Sequence, residues 1–157
     1  MAEKIPPSFD LSQASAWRTL ADFSLPSEQG NERIAMQLVA EAVKQLNLPP
    51  DRLERLKTAV AEATMNATEH GNRFHPDLPV TIKVMASESV MTVQITDYGE
   101  NGPIKKAEKP DIEAKMEGGQ TLRGWGFFLI EKMVDEMQVS SGDANHTIQL
   151  FLYLEGS

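Results

Sequence analysis

One stretch limits this chain more than any other: LERLKTAVAEATMNATEHG, residues 53–71. Ala, Leu, Glu and Lys dominate it, and neither Pro nor Gly appears before Gly71, a residue type that commonly ends helices. Leu53, Leu56, Val60, Ala63 and Ala67 recur at three- and four-residue spacing, which predicts a helix with one buried stripe. Glu62 and Asn66 lie four residues apart, so they stack one turn above the other on a different face. A carboxylate there can take a proton, and a carboxamide oxygen can ligate a hard cation such as Mg²⁺. Taken alone, such a pair is more often a solvated polar face.

Composition removes several function classes. The chain has 157 residues, enough for a proper core, and is read as one domain, 1–157. Its net charge is −8, from 23 acidic and 15 basic residues, with no dense Lys/Arg run. Direct nucleic-acid binding is therefore not expected. The absence of Cys excludes disulfides, thiolate metal sites and Cys nucleophiles. His70, His75 and His146 lack metal-ligand spacing. MAEKIPPSFD is no secretory signal, and no apolar run approaches membrane-spanning length, so a cytoplasmic protein is expected.

Along the chain, residues 1–15 carry Pro6-Pro7, Ser8, Ser12 and Ser15, and a flexible tail is predicted. Trp17, Thr19, Ala21, Phe23 and Leu25 alternate as in a strand ending at Pro26. Ser27 and Asn31 are cap candidates for a helix over Glu32–Leu46, with Ile34, Leu38, Ala42 and Leu46 as its stripe. Val80, Ile82 and Val84 alternate in the next strand. In Ser89–Asp97, Met91, Val93 and Ile95 face one way, and period two puts Asp97 on that apolar side. A carboxylate ending a buried face needs a partner; the other reading is a turn initiator just past the strand.

Gly99 and Gly102 follow, permitting close approach to the backbone. The polar tract Lys105–Gln120 is read as a lid or a disordered segment. Arg123-Gly124-Trp125-Gly126 then opens a helix whose Phe127, Ile130, Val134 and Met137 form a stripe. A Gly-rich turn at a helix start suits an anion, although a tight packing turn looks the same in sequence. Strands over Gln138–Ser141 and Thr147–Leu154 close the chain.

In this order, Glu62-x-x-x-Asn66, Asp97-x-Gly99 with Gly102, and Gly124-x-Gly126 resemble the N, G1 and G2 boxes of the Bergerat ATP-binding fold. EATMNATEHGN, ITDYGENG and RGWGFFLIEKMVD look most like the anti-sigma-factor serine/threonine kinases of the RsbW and SpoIIAB type. The resemblance covers roughly residues 17–154. It implies an α/β (α+β) two-layer sandwich, with helices on one face of a mixed, mainly antiparallel sheet. It also implies ATP and Mg²⁺ as cofactors. Glu62 matches the catalytic base, Asn66 the Mg²⁺ ligand and Asp97 the acceptor for the adenine amino group. Gly99 and Gly102 match the glycines beside the nucleotide, and Arg123, Gly124 and Gly126 the phosphate-contacting turn. His70 and Gly71 match the His-Gly that follows the N box, with His70 in a structural role. Tyr98, Glu100-Asn101 and the bulky Trp125 depart from the usual box residues.

The implied function is protein kinase activity in a partner-switching system. The substrate would be a STAS-domain anti-sigma antagonist, and a sigma factor or other effector would be sequestered by a protein expected to form a homodimer and to make no membrane contact. The competing reading is a nucleotide-gated binding module of the same fold that transfers no phosphate.

Overall fold

The computed structural model describes residues 17–99, 122–142 and 144–154. The predicted tail, Gly102 and the tract Lys105–Gln120 lie outside the described residues. The first elements are strand β1 (Arg18–Pro26), helix α1 (Asn31–Ala42) and helix α2 (Pro50–Asn66). Strands β2 (Pro79–Ala86) and β3 (Val90–Asp97) follow, then helix α3 (Leu122–Met133) and strands β4 (Glu136–Ser141) and β5 (His146–Tyr153). The strands form one sheet in the order β1-β2-β3-β5-β4, and every pairing is antiparallel. α2 lies between α1 and α3, and the helices pack on the sheet. This is the expected two-layer sandwich, except that the sheet expected as mixed has only antiparallel pairs among the described strands.

Alternation builds the core. Val80, Ile82, Val84 and Ala86 of β2, Met91, Val93 and Ile95 of β3, and Ile148, Leu150 and Leu152 of β5 are all buried. Register aligns them in rows: Phe23–Ile82–Ile95–Ile148–Val139 is one, and Ala21–Val84–Val93–Leu150–Met137 the next. Leu56, Ala59, Val60 and Ala63 of α2 belong to the same core cluster. Small residues on that helix let its backbone approach the sheet, where longer side chains would hold it off.

Four local expectations change. In β1 a bulge between Thr19 and Ala21 resets the alternation, so Leu20 packs on the core while Thr19 is exposed. In α1 the buried residues are Ala35 and Val39, continued by Val43 just past its end, whereas Ile34 and Leu38 are exposed. Neither Ser27 nor Asn31 caps that helix. Gly30 takes the cap position at φ 97° with no side-chain cap, Ser27 Oγ donates to Leu78 O at 2.6 Å, and Asn31 Nδ2 donates to Pro26 O at 2.8 Å. The last helix stops at Met133, so Met137 lies in β4 opposite Leu150. Asp135 explains the early stop. Its N–H donates to Phe151 O at 3.0 Å and its carboxylate accepts the Tyr153 N–H at 2.7 Å, drawing the chain into the sheet.

Candidate functional site

The central helix starts at Pro50, whose fixed φ suits the first helical turn, and ends regularly at Asn66. A single π-helical turn, Ala67–Gly71, extends it, and Asn72 N–H reaches back to Ala67 O at 2.8 Å. Gly71 is thus not a left-handed helix cap. Its missing side chain serves the site instead, because a Cβ there would fall 2.3 Å from Asp97 Cγ.

Asn66 is buried, at 4% exposure, and its Nδ2 has no hydrogen-bond partner among the described residues. An unsatisfied buried polar group costs about 1–3 kcal/mol, which a fold tolerates where a ligand completes the group. Half a turn about the terminal torsion of the amide exchanges N and O at no cost in shape, so the same position can offer an oxygen to a cation. Asn66 therefore fits a metal or phosphate ligand. Glu62, one turn earlier, is half-buried. Burial first, and the Glu69 carboxylate second, push its carboxyl above the ordinary glutamate range. That shift makes the ionised form a stronger base.

The helix α3 meets this pair through a glycine. A Cβ on Gly126 would lie 3.0 Å from Glu62 Oε2 and 3.1 Å from Asn66 Nδ2. Any larger residue would press on both groups at once. Arg123 and Gly124 fall in the first turn of α3, on the N-terminal side of Gly126. A helix start carries unpaired N–H groups and the positive dipole end, both suited to phosphate.

Asp97 occupies the other end. It closes β3 on the apolar face, at 3% exposure, so the inward reading holds over the turn-initiator one. Its Oδ1 accepts the Gly99 N–H at 3.2 Å and lies 2.9 Å from His146 Nδ1. Gly99 is also confined: a Cβ there would overlap the Gly71 carbonyl oxygen, at 1.7 Å. Five of the eight predicted site residues, Glu62, Asn66, Asp97, Gly99 and Gly126, thus cluster through α2, its π-turn and the glycines packed on them. Among the described residues no group of three or more His, Cys, Asp or Glu side chains could hold a metal ion.

Sequence reasoning passed over two residues here. His146 lacks metal-ligand spacing, yet period two from Ile148 places it on the buried face of β5. Asn72, 1% exposed, accepts the Tyr98 N–H at 2.8 Å and donates to Ser27 Oγ at 2.8 Å and Pro79 O at 3.0 Å. It ties the chain after Asp97 to the loop before β2. Its place directly after His70-Gly71 was the available signal. His70 is partly exposed, with Nε2 3.6 Å from Glu69 Oε1.

Comparison with known proteins identifies the family. The sequence model of the histidine kinase-like ATPase domain matches residues 25–152. An anti-sigma F factor of Geobacillus stearothermophilus is 37% identical over 120 residues, covering 76% of this chain and 80% of that protein. Another, from Bacillus cytotoxicus, is 33% identical over 129 residues, covering 81% and 87%. Among solved structures, one from a SiaB–SiaC complex of Pseudomonas aeruginosa superposes with a TM-score of 0.62 at 14% identity, covering 90% of this chain and 94% of that one. The RsbU and RsbW domains of a Mycobacterium tuberculosis protein give 0.57 at 17% identity, covering 85% of this chain and 32% of that one. These two structures share the fold. No helix among the described residues is long and apolar enough to cross a membrane. On the family match over most of its length, the chain belongs to the histidine kinase-like ATPase family, beside the anti-sigma factors of the RsbW and SpoIIAB type.

Proposed function

We propose that this chain is an ATP-dependent serine/threonine protein kinase of a partner-switching system. It phosphorylates a STAS-domain antagonist and sequesters a sigma factor or another effector. The observation that carries the reading is the approach of Gly126 to both Glu62 and Asn66, within 3.0–3.1 Å of a built Cβ. A potential base, a potential cation ligand and a phosphate-type helix start meet there. The anti-sigma factor names of the relatives support the choice of partners.

In this reading Asp97 accepts a hydrogen bond from the adenine amino group, and Gly99 and Gly102 leave room for the base and sugar. Asn66 would ligate Mg²⁺, and Arg123 with the α3 N–H groups around Gly124 and Gly126 would hold the phosphates. Bound Mg²⁺–ATP supplies the γ-phosphoryl group with its charge partly neutralised. Glu62, with its raised proton affinity, would take the proton of the acceptor Ser or Thr hydroxyl as that oxygen attacks the γ-phosphorus and the bond to the β–γ bridging oxygen breaks, with ADP leaving. The kinase acts in the cytoplasm as a homodimer; Ile34 and Leu38, exposed on the helix that packs beside the edge strand β1, give that assembly apolar surface.

The test is transfer of γ-labelled phosphate to a STAS-type partner recovered by pull-down from the source cell. Transfer by the wild type and its loss in Glu62→Gln are expected. Intact ATP binding with no transfer to any recovered partner would overturn the kinase reading in favour of a nucleotide-gated binding module.

A further inference from the structure

The strand register sets Asp97 directly opposite His146 at the end of the β3–β5 ladder. Both side chains are almost fully enclosed, at 4% and 6% exposure, and Asp97 Oδ1 lies 2.9 Å from His146 Nδ1. An ionised carboxylate only accepts hydrogen bonds, so Nδ1 carries the proton and donates it. Oδ1 then has two donors, His146 and the Gly99 N–H at 3.2 Å. No hydrogen bond to Oδ2 is formed among the described residues. Oδ2 lies against Gly71, where a Cβ would be only 2.3 Å away.

We propose that His146 is a positioning residue for base recognition: it clamps Oδ1 of Asp97 so that Oδ2 is the oxygen offered to a 6-amino purine. This rests on the reading of Asp97 as the base acceptor. The terminal torsion of an aspartate is soft and the two oxygens are chemically equal. The clamp on one oxygen and the Gly71 backbone beside the other remove that freedom. The result is an acceptor aimed in one direction. A 6-amino group donates to it, whereas the 6-oxo group of hypoxanthine is itself an acceptor and is repelled. His146 thereby contributes to amino-against-oxo selectivity without touching the base.

The experiment is calorimetric titration of ADP and inosine diphosphate into the wild type, Asp97→Asn, and three His146 variants. The wild type should prefer ADP by about 10²-fold or more, as expected of a site built to pair a donor. His146→Leu should narrow that preference by roughly tenfold, the usual scale of one lost hydrogen bond. His146→Asn places an amide N–H near the Nδ1 position and should restore the preference. His146→Gln, whose amide reaches past that point, should not. The Asn and Gln variants are both polar and decide the matter even if His146→Leu fails to fold. Equal preference in the wild type, His146→Leu and His146→Gln, with Asp97→Asn losing it, would overturn the role of His146 and leave Asp97 as base reader. Unchanged preference in folded Asp97→Asn would overturn both.

Discussion

The backbone of Gly71 and the carboxylate of Asp97 occupy each other's space: a Cβ on Gly71 would lie 2.3 Å from both Cγ and Oδ2 of Asp97. The π-turn at the end of α2 brings the glycine to that point, and the last residue of β3 brings the carboxylate. Gly71→Ala should therefore displace Asp97. We expect a stability loss of about 1–3 kcal/mol, the range for overpacking a tight site, together with weakened nucleotide binding. Adding Asp97→Ala should recover part of the stability and none of the binding. Urea titration of the single and double variants checks the coupling.

Asp97→Asn keeps the size of the side chain but adds a donor. ATP affinity should fall by about 1.5–3 kcal/mol, the worth of a charge-assisted hydrogen bond. Base preference should shift with it. Calorimetry showing unchanged ATP affinity in the folded variant would remove Asp97 from the site.

Glu62 should set the acid limb of phosphate transfer. Its carboxyl is raised by burial and then by Glu69, so activity should fall with decreasing pH earlier than for an ordinary glutamate. Glu69→Gln removes one cause and should move that limb to lower pH. Glu62→Gln should bind ATP nearly normally and lose about 10²–10⁴-fold in transfer. The stability sign runs the other way from a salt-bridged acid. The folded chain holds this proton more tightly than the unfolded chain, so ionised Glu62 lowers stability above its folded pKa, and the penalty disappears as pH falls through it. Glu62→Gln should thus melt higher than the wild type at neutral pH, with the gap closing in acid. A gap that stays constant with pH would contradict the raised carboxyl.

Asn66→Ala deletes a buried amide whose Nδ2 has no partner among the described residues. The fold should lose no more than about 1 kcal/mol, because an unpaired polar group is removed with the side chain. Mg²⁺–ATP binding and transfer should both collapse. A large stability loss with normal Mg²⁺–ATP binding would make Asn66 a structural residue.

Leu38 is 41% exposed and Ile34 43% exposed on adjacent turns of α1. If a second copy covers them, Leu38→Glu should shift the solution mass toward the monomer while ATP binding persists. Sedimentation of both proteins gives the answer, and identical masses would move the dimer contact elsewhere.

Much of this was legible before any coordinates. Alternation over β2, β3 and β5 identified the buried rows, since period two leaves no choice of face once one side is apolar. The same alternation sent Asp97 inward. The Ala-rich segment after Leu53 announced the central helix, and the spacing of Glu62 and Asn66 set them one turn apart. The last stretch was harder: Val134 and Met137 fit a helical stripe as well as a bend and a strand. Asp135, bonded to the neighbouring strand, settled it.

Ile34 with Leu38 and Ala35 with Val39 have the same helical spacing, so pattern alone cannot say which stripe is buried. Packing against α2 and β1 chose the smaller side chains, which permit close approach. Gly71 looked like a helix cap because a glycine's use is set by what comes near it, and Asp97 is distant in sequence. His146 shows the same limit. Its place on a buried face follows from period two, but its pairing with Asp97 depends on the β3–β5 register. Local pattern therefore determined the elements, their apolar faces and the residues able to do chemistry. Only the tertiary structure decided which of them touch, because a contact between β3, β5, the α2 end and α3 is a property of register and packing, and no single segment carries that information.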